Sequence, residues 1–400
     1  LKGTLRLVSP ALKHLVFPAL SKSGYLRYWA GAGPGYWAGA GPAVVTYHGV
    51  FPSGYEIRNS ALDGNLVHAD ALRRQFKLLQ ERYHVITPEE FLRWSELQWS
   101  EERNDDDGKD SREKHAAVRQ SLPPRSILLT CDDALRNTLT EMVPILRDFG
   151  VSCLFFATGA STDATPSLLW YEELYLMLLD AAGPIGLNLP EAGISINIVS
   201  PRSKQLHAFW WNMVEKLSQF RGQARHEFLN RIRQQLRLSE SWRSKFVEDS
   251  RLAARFLTLD RSGLQQLVAA GMSVGAHSLS HPILARASDD LAWQEISESK
   301  ADLERALRRP VWAFGYPFGN AATVSRRDLK FAERAGFRCA FMNTGGGFGA
   351  TNYRFAIPRV HVTADMGLPE FEANISGFYR SMRSRFSKKN NEEEELRLTS

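Results

Sequence analysis

Four positions carry the most specific chemistry in this sequence. His277 and His281 lie four residues apart in HSLSHP at 277–282. On a helical turn that spacing brings both imidazoles to one face, close enough to share a metal ion. Asp132 and Asp133 end the apolar run SILLTC at 126–131. Adjacent carboxylates after such a run are costly to bury unless a cation or hydrogen bonds compensate. One can then bind a metal while the other stays free as a base. Each signal has an ordinary reading alone: two unrelated surface histidines, or a solvated strand end. Together, two imidazoles and one carboxylate form a common catalytic zinc shell with an open position for water. The second carboxylate supplies a general base, and the set describes a metal-assisted hydrolase. A glycosidase using Asp132 and Asp133 as acid and nucleophile fails on geometry, because such carboxylates flank the bond from opposite sides at about 5 Å or more.

These residues need elements to gather them. Short buried-strand patterns occur at 43–47, 126–131, 152–157, 272–276, 311–314, 338–341 and 357–362. Helical patterns fall between them at 69–81, 138–149, 262–270, 289–307 and 322–335. Strand, helix, strand at this spacing is a βαβ unit and implies a parallel sheet. Repeated units favour a (β/α) barrel, whose active site lies at the C-terminal strand ends. Three strands end in unusual residues there: Asp132-Asp133, His277, and Tyr47-His48.

The rhythm breaks at 160–258, where amphipathic runs at 167–182, 204–220 and 224–238 indicate a helical insertion. Its Trp170, Tyr171, Tyr175, Trp210 and Trp211 recur at helical spacing and read as core. The expected organisation is a basic N-terminal segment and Gly/Pro-rich connector at 1–42, a barrel at 43–159 and 259–378, the insertion at 160–258, and a charged tail at 379–400.

Composition bounds the function. Of 400 residues, 44% are hydrophobic and 24% charged, which excludes a disordered, collagen-like or mucin-like chain. A net charge of +6 is too small an excess to make a nucleic-acid binder. Cys131, Cys153 and Cys339 are widely spaced and contain no CxxC pair, so they read as buried reduced thiols. Residues 101–116 are dense in charge and read as a solvated loop. The first 55 residues contain no Asp or Glu, and Leu5, Val8, Leu12 and Leu15 recur at helical spacing. That pattern fits either a helix packed outside the domain or a basic element in peripheral contact with an anionic membrane surface. YWAGAGP then occurs twice, at 28–34 and 36–42, as a connector with Trp29 and Trp37 packing on the domain. The apolar run at 15–20 is broken by Pro18 and lacks a secretory core. The expected location is the cytoplasm, with association at the inner membrane surface; the oligomeric state is not legible.

TCDD at 130–133, followed by a helix and SCLFFATG, resembles the first motif of the polysaccharide deacetylases (the NodB-homology family, carbohydrate esterase family 4), TFDDG in most members. HSLSHP matches the second motif, H-S/T-x-x-H-P, and FGYPFG at 314–319 is similar to the third in the branch reading FxYPxG. The likeness covers roughly 43–160 and 260–365. It implies a distorted (β/α)₇ barrel with a divalent metal, usually zinc, and removal of acetyl groups from an acetylated carbohydrate, most often N-acetylhexosamine. Carried over by position, Asp133, His277 and His281 are the metal ligands. Asp132 is the base that deprotonates the attacking water, and the Phe318 N–H helps hold the oxyanion. The branch with an N-terminal YH strand includes exopolysaccharide poly-N-acetylglucosamine deacetylases, and its strand-end histidine, here His48, is the general acid. His361 on the last strand is the rival acid. Cys131 replaces the usual Phe and Ala134 the usual Gly. Gly315 stands where many relatives carry an arginine that orients the base, and Arg359 in IPRVHV resembles a late arginine given that role. The alternative implied by these departures is a catalytically inactive carbohydrate-binding barrel of the same fold.

Overall fold

The strands are β1 (Ala43–Tyr47), β2 (His84–Ile86), β3 (Ser126–Cys131), β4 (Leu154–Ala157), β5 (Ile185–Leu189), β6 (Ile194–Ile198), β7 (Ser273–Ala276), β8 (Ala313–Gly315), β9 (Cys339–Met342), β10 (Ile357–Pro358) and β11 (Val360–His361). The chain is represented by a computed structural model that describes residues 9–31, 41–101, 122–198, 205–345 and 353–386. Leu5, Val8, most of the connector with Trp37, the charged loop after Glu101 and the tail beyond Phe386 lie outside the described residues.

Every pairing in the main sheet is parallel, in the order β10-β9-β8-β7-β4-β3-β1-β11. β2 pairs with the first half of β3, and β4 with the second half. The pattern at 357–362 predicts one strand. The structure holds two short ones with Arg359 between them, β10 on β9 and β11 on β1. One continuous segment thus touches both edges of the sheet and closes the ring. Counting it once turns the nine hydrogen-bonded strands into a nearly closed barrel of eight. The distorted (β/α)₇ barrel implied by the motifs agrees with this architecture.

Alternation along the strands separates two cores. Val44, Leu128, Leu154, Phe156, Ala313, Cys339, Phe341 and Ile357, drawn from six of the strands, pack together inside the barrel. Their sequence neighbours Val45, Leu129, Phe155, Phe314 and Ala340 face the surrounding helices. Both faces of β3 are therefore covered, which explains its unbroken apolar run. All three cysteines are buried and free.

The 160–258 insertion has its own core, centred on Leu174, Met177, Met213, Leu229, Ile232 and Phe256. It is not purely helical. β5 and β6 pair antiparallel across a turn at Gly193, whose φ is +60°. The alternation in IGLNL and ISINI carried that signal.

At the N-terminus, Phe17 and Leu26 are fully buried against Ala373 and Tyr379. Trp29 meets Phe378 edge-on, with ring centroids 5.3 Å apart. This segment packs on the outside of the domain, and Leu15 remains 70% exposed. No helix among the described residues is long and apolar enough to cross a membrane.

Candidate active site

The alternation that builds the barrel also aims its polar residues. On β3, Leu128 points inward; so does Thr130, and the next position of that parity is Asp132. On β1, Val44 and Thr46 lead in the same way to His48. Asp132 is 1% exposed and takes both guanidinium nitrogens of Arg359, Nη1 to Oδ1 and Nη2 to Oδ2, each at 2.7 Å. Arg359 Nη1 also donates to Thr130 Oγ1 at 3.3 Å, and its guanidinium lies 5.2 Å from the centre of the Phe156 ring. Burial raises the Asp132 pKa, but the fields of Arg359, His277 and His48 outweigh it and hold the carboxyl well below the usual range.

The resemblance implies an arginine at the position of Gly315, and the structure shows why no side chain stands there. A Cβ on Gly315 would come within 2.9 Å of the Phe156 ring. Arg359 reaches Asp132 from the closing strand, across the same ring.

Strand alternation alone would send Asp133 outward. It returns because the chain turns sharply, with φ +71° at Asp133 and +47° at Ala134. Left-handed backbone at an alanine costs about 1–2 kcal/mol. The stem of the insertion holds it there, through Leu259 N–H donating to Ala134 O and Arg136 N–H donating to Leu257 O, both 2.8 Å.

His277 follows β7, and its Nδ1 lies 2.7 Å from Gly315 O. A carbonyl only accepts, so Nδ1 carries the proton and the Nε2 lone pair faces Asp133 Oδ1 at 3.6 Å. His281 Nε2 lies 3.3 Å from the same oxygen. Burial drives the His277 pKa down to about 4. Burial raises that of Asp133, but the neighbouring His281, His48 and His277 imidazoles outweigh it and bring it to about 2.

One ligand atom from each of Asp133, His277 and His281 lies within 4.8 Å of the others, and all three residues are buried. Asp133 Oδ1 is buried without a hydrogen-bond partner. Such an oxygen, faced by two imidazole nitrogens, fits a cation better than it fits nothing. Two nitrogens and one carboxylate oxygen suit a borderline ion such as Zn²⁺, and the Gly315 carbonyl supplies the outer hydrogen bond that fixes a ligating imidazole.

His48 Nε2 is 3.8 Å from Asp132 Oδ2, and the His48 ring centre is 4.8 Å from that of His361. The two rival acids are therefore neighbours at one side of the mouth. Phe318 has φ +60° and packs its ring 4.8 Å from that of His281.

Two residues of the insertion that the sequence reading placed in the core lie instead near the site. The Tyr171 ring lies 4.7 Å from His281 and 5.3 Å from Phe318, and the Trp211 ring lies 5.2 Å from Phe318. Trp170, Tyr175 and Trp210 are buried as expected of core, whereas Tyr171 and Trp211 are only partly buried. Helical spacing does not separate the two groups.

Residues 240–340 match the polysaccharide deacetylase family. The matched stretch contains His277, His281 and Phe318. That stretch is about a quarter of the chain, and the likeness to polysaccharide deacetylases is a likeness of that part. Among solved structures, the Streptococcus pyogenes deacetylase PplD in complex with acetate is 16% identical, covering 84% of this chain and 97% of that chain, with a TM-score of 0.48. IcaB from Ammonifex degensii is 15% identical, covering 84% and 97%, with a TM-score of 0.47. The BpsB deacetylase domain from Bordetella bronchiseptica is 14% identical, covering 81% and 96%, with a TM-score of 0.43. No curated protein matches the sequence.

Proposed function

We propose that this protein is a metal-dependent deacetylase acting on N-acetylhexosamine units of a polysaccharide. The observation that carries the reading is the unpartnered, buried Asp133 Oδ1 facing His281 Nε2 at 3.3 Å and His277 Nε2 at 3.6 Å. These three residues hold the ion, and zinc is the ion their donor set suits best. A divalent ion held there supplies Lewis-acid polarisation of the acyl oxygen and lowers the pKa of water.

The chain's own groups do the rest. Asp132, kept ionised and oriented by Arg359, accepts a proton from the attacking water. A carboxylate held so far down is a weak base, so this step depends on the water being acidified. The Phe318 backbone N–H donates to the oxyanion that develops on the acyl carbon. An amine leaves poorly until protonated, and His48, beside Asp132, gives it that proton. The partly buried residues Tyr171 and Phe318 lie beside His281, and Trp211 lies beside Phe318, an aromatic group suited to the apolar face of a hexosamine ring.

Acetate release from N-acetylated chito-oligosaccharides tests the reading. Zinc-loaded protein should release acetate, chelation should abolish release, and added zinc should restore it. Release that survives exhaustive chelation would remove the metal from the mechanism. Stoichiometric zinc binding with no release from any acetylated glycan would leave the inactive binding barrel.

A further inference from the structure

The loop that carries His281 is conformationally strained. Ser278 has φ +61° and His281 φ +57°, both left-handed and neither a glycine. Part of what holds it comes from the barrel. Gly159 N–H donates to Ser278 O at 3.0 Å and Leu279 N–H to Glu295 O at 2.9 Å. Ser280 N–H donates to Glu295 Oε2 at 2.7 Å, and His281 N–H to Ser278 Oγ at 2.9 Å.

The rest comes from the insertion, which contacts main-chain groups on both sides of the histidine. Arg225 Nη1 donates to Ser280 O at 3.1 Å, and Trp170 Nε1 donates to His281 O at 3.1 Å. Ile283 N–H donates to Ser218 Oγ at 2.9 Å. Arg225 is 1% exposed, lies 4.6 Å from the centre of the Trp170 ring, and also donates to Ser280 Oγ at 2.9 Å. Its nearest carboxylate, Glu295, is 3.7 Å away and 2% exposed. A buried guanidinium is expensive unless its donors are satisfied. Here Nη1 and Nη2 serve Ser280, immediately before the histidine, and Phe220 O at 3.0 Å, while Nε is left without a partner.

We propose that the insertion is part of the metal centre's machinery, with Trp170, Arg225 and Ser218 acting as positioning residues for His281. The inference rests on the reading of Asp133, His277 and His281 as a metal site. By fixing Ser280 O, His281 O and Ile283 N, the insertion holds the imidazole at the distance from Asp133 that one ion can bridge. Outer partners that orient a ligand in this way are typically worth about 10–100-fold in metal affinity.

The test uses the full chain. Trp170→Phe keeps a ring beneath Arg225 and deletes the donor to His281 O together with part of the indole volume, a loss that the Trp242→Phe control shares. Ser218→Ala deletes the acceptor of Ile283 N–H and is the second variant, should the first fold poorly. Trp242→Phe is the control: its indole donates to Asp180 Oδ2 at 3.0 Å, within the same insertion but away from the loop. Zinc affinity is measured by competition with a chromophoric chelator, Co²⁺ coordination by visible absorption, and stability by melting of the metal-free protein. Trp170→Phe and Ser218→Ala should each weaken zinc about 10-fold or more and alter the Co²⁺ spectrum. Trp242→Phe should lower the melting temperature only. Unchanged affinity and spectrum in both loop variants, or equal weakening in the control, overturns the inference alone. A wild-type chain that binds no stoichiometric zinc overturns the metal reading and this inference with it.

Discussion

Arg359 and Asp132 meet at the barrel mouth as a two-point pair, with two parallel contacts of 2.7 Å and both side chains buried. Arg359 is also the residue at which the closing segment passes from β10 to β11. Its N–H donates to Met342 O on β9 at 2.9 Å, while Val360 beside it pairs with Val45 on β1. Closing the barrel and aiming the carboxylate are thus done by one residue.

Arg359→Lys should lower kcat more than it raises KM, by about 10–100-fold, because an ammonium cannot make the parallel pair. Arg359→Ala leaves a buried carboxylate unpaired and should cost about 3–5 kcal/mol of stability. Asp132→Asn should cut kcat by about 10²–10⁴ while zinc binding is kept. Steady-state kinetics beside urea denaturation separates these outcomes, and full activity of Asp132→Asn would remove it as the base.

Two departures from the family pattern should respond to substitution in opposite directions. Ala134→Gly relieves a left-handed alanine and should stabilise the protein by about 0.5–1 kcal/mol, after the entropy lost by a glycine is offset. Gly315→Ala forces a methyl against Phe156 and should destabilise by about 1–3 kcal/mol. Denaturant midpoints measure both, and a neutral Gly315→Ala would mean that Phe156 yields readily.

The metal-free protein should lose stability as pH falls. His277 has a folded pKa of about 4 against an ordinary 6.5, so between those values the unfolded chain holds a proton that the folded chain lacks. Stability therefore rises with pH across that window and falls on acidification. Asp133, depressed from 3.8 to about 2, adds a second loss of the same sign below pH 4. Urea midpoints measured with chelator present should decline from pH 6.5 to 4, and His277→Asn should flatten that decline. An equal slope in the variant would assign the proton elsewhere.

Trp211→Ala should raise KM for acetylated oligosaccharides several-fold while kcat changes less, because the ring packs on Phe318 and Trp210. A fall in kcat at unchanged KM would argue against a sugar-facing surface there.

Much of this site is local information. In AVVTYH and SILLTCD the two-residue period of a strand settles that His48 and Asp132 share the inward parity of Val44 and Leu128, and HSLSHP keeps its two imidazoles close along the chain, although the turn between them is a strained loop and not a helix. The same period in IGLNL and ISINI marked a hairpin that the surrounding helical runs obscured. Other features depend on contacts between residues far apart in the chain. Asp133 turns inward because the insertion stem, more than 100 residues on, holds Ala134 O. Arg359 sits at a break in its strand because two different sheet edges compete for the flanking residues. Tyr171 and Trp211 differ from Trp170 and Trp210 only in what packs against them. Periodicity is a property of neighbouring residues and can be read along the chain, whereas exposure, strained turns and the meeting of distant charges are fixed by packing between segments that no local pattern relates.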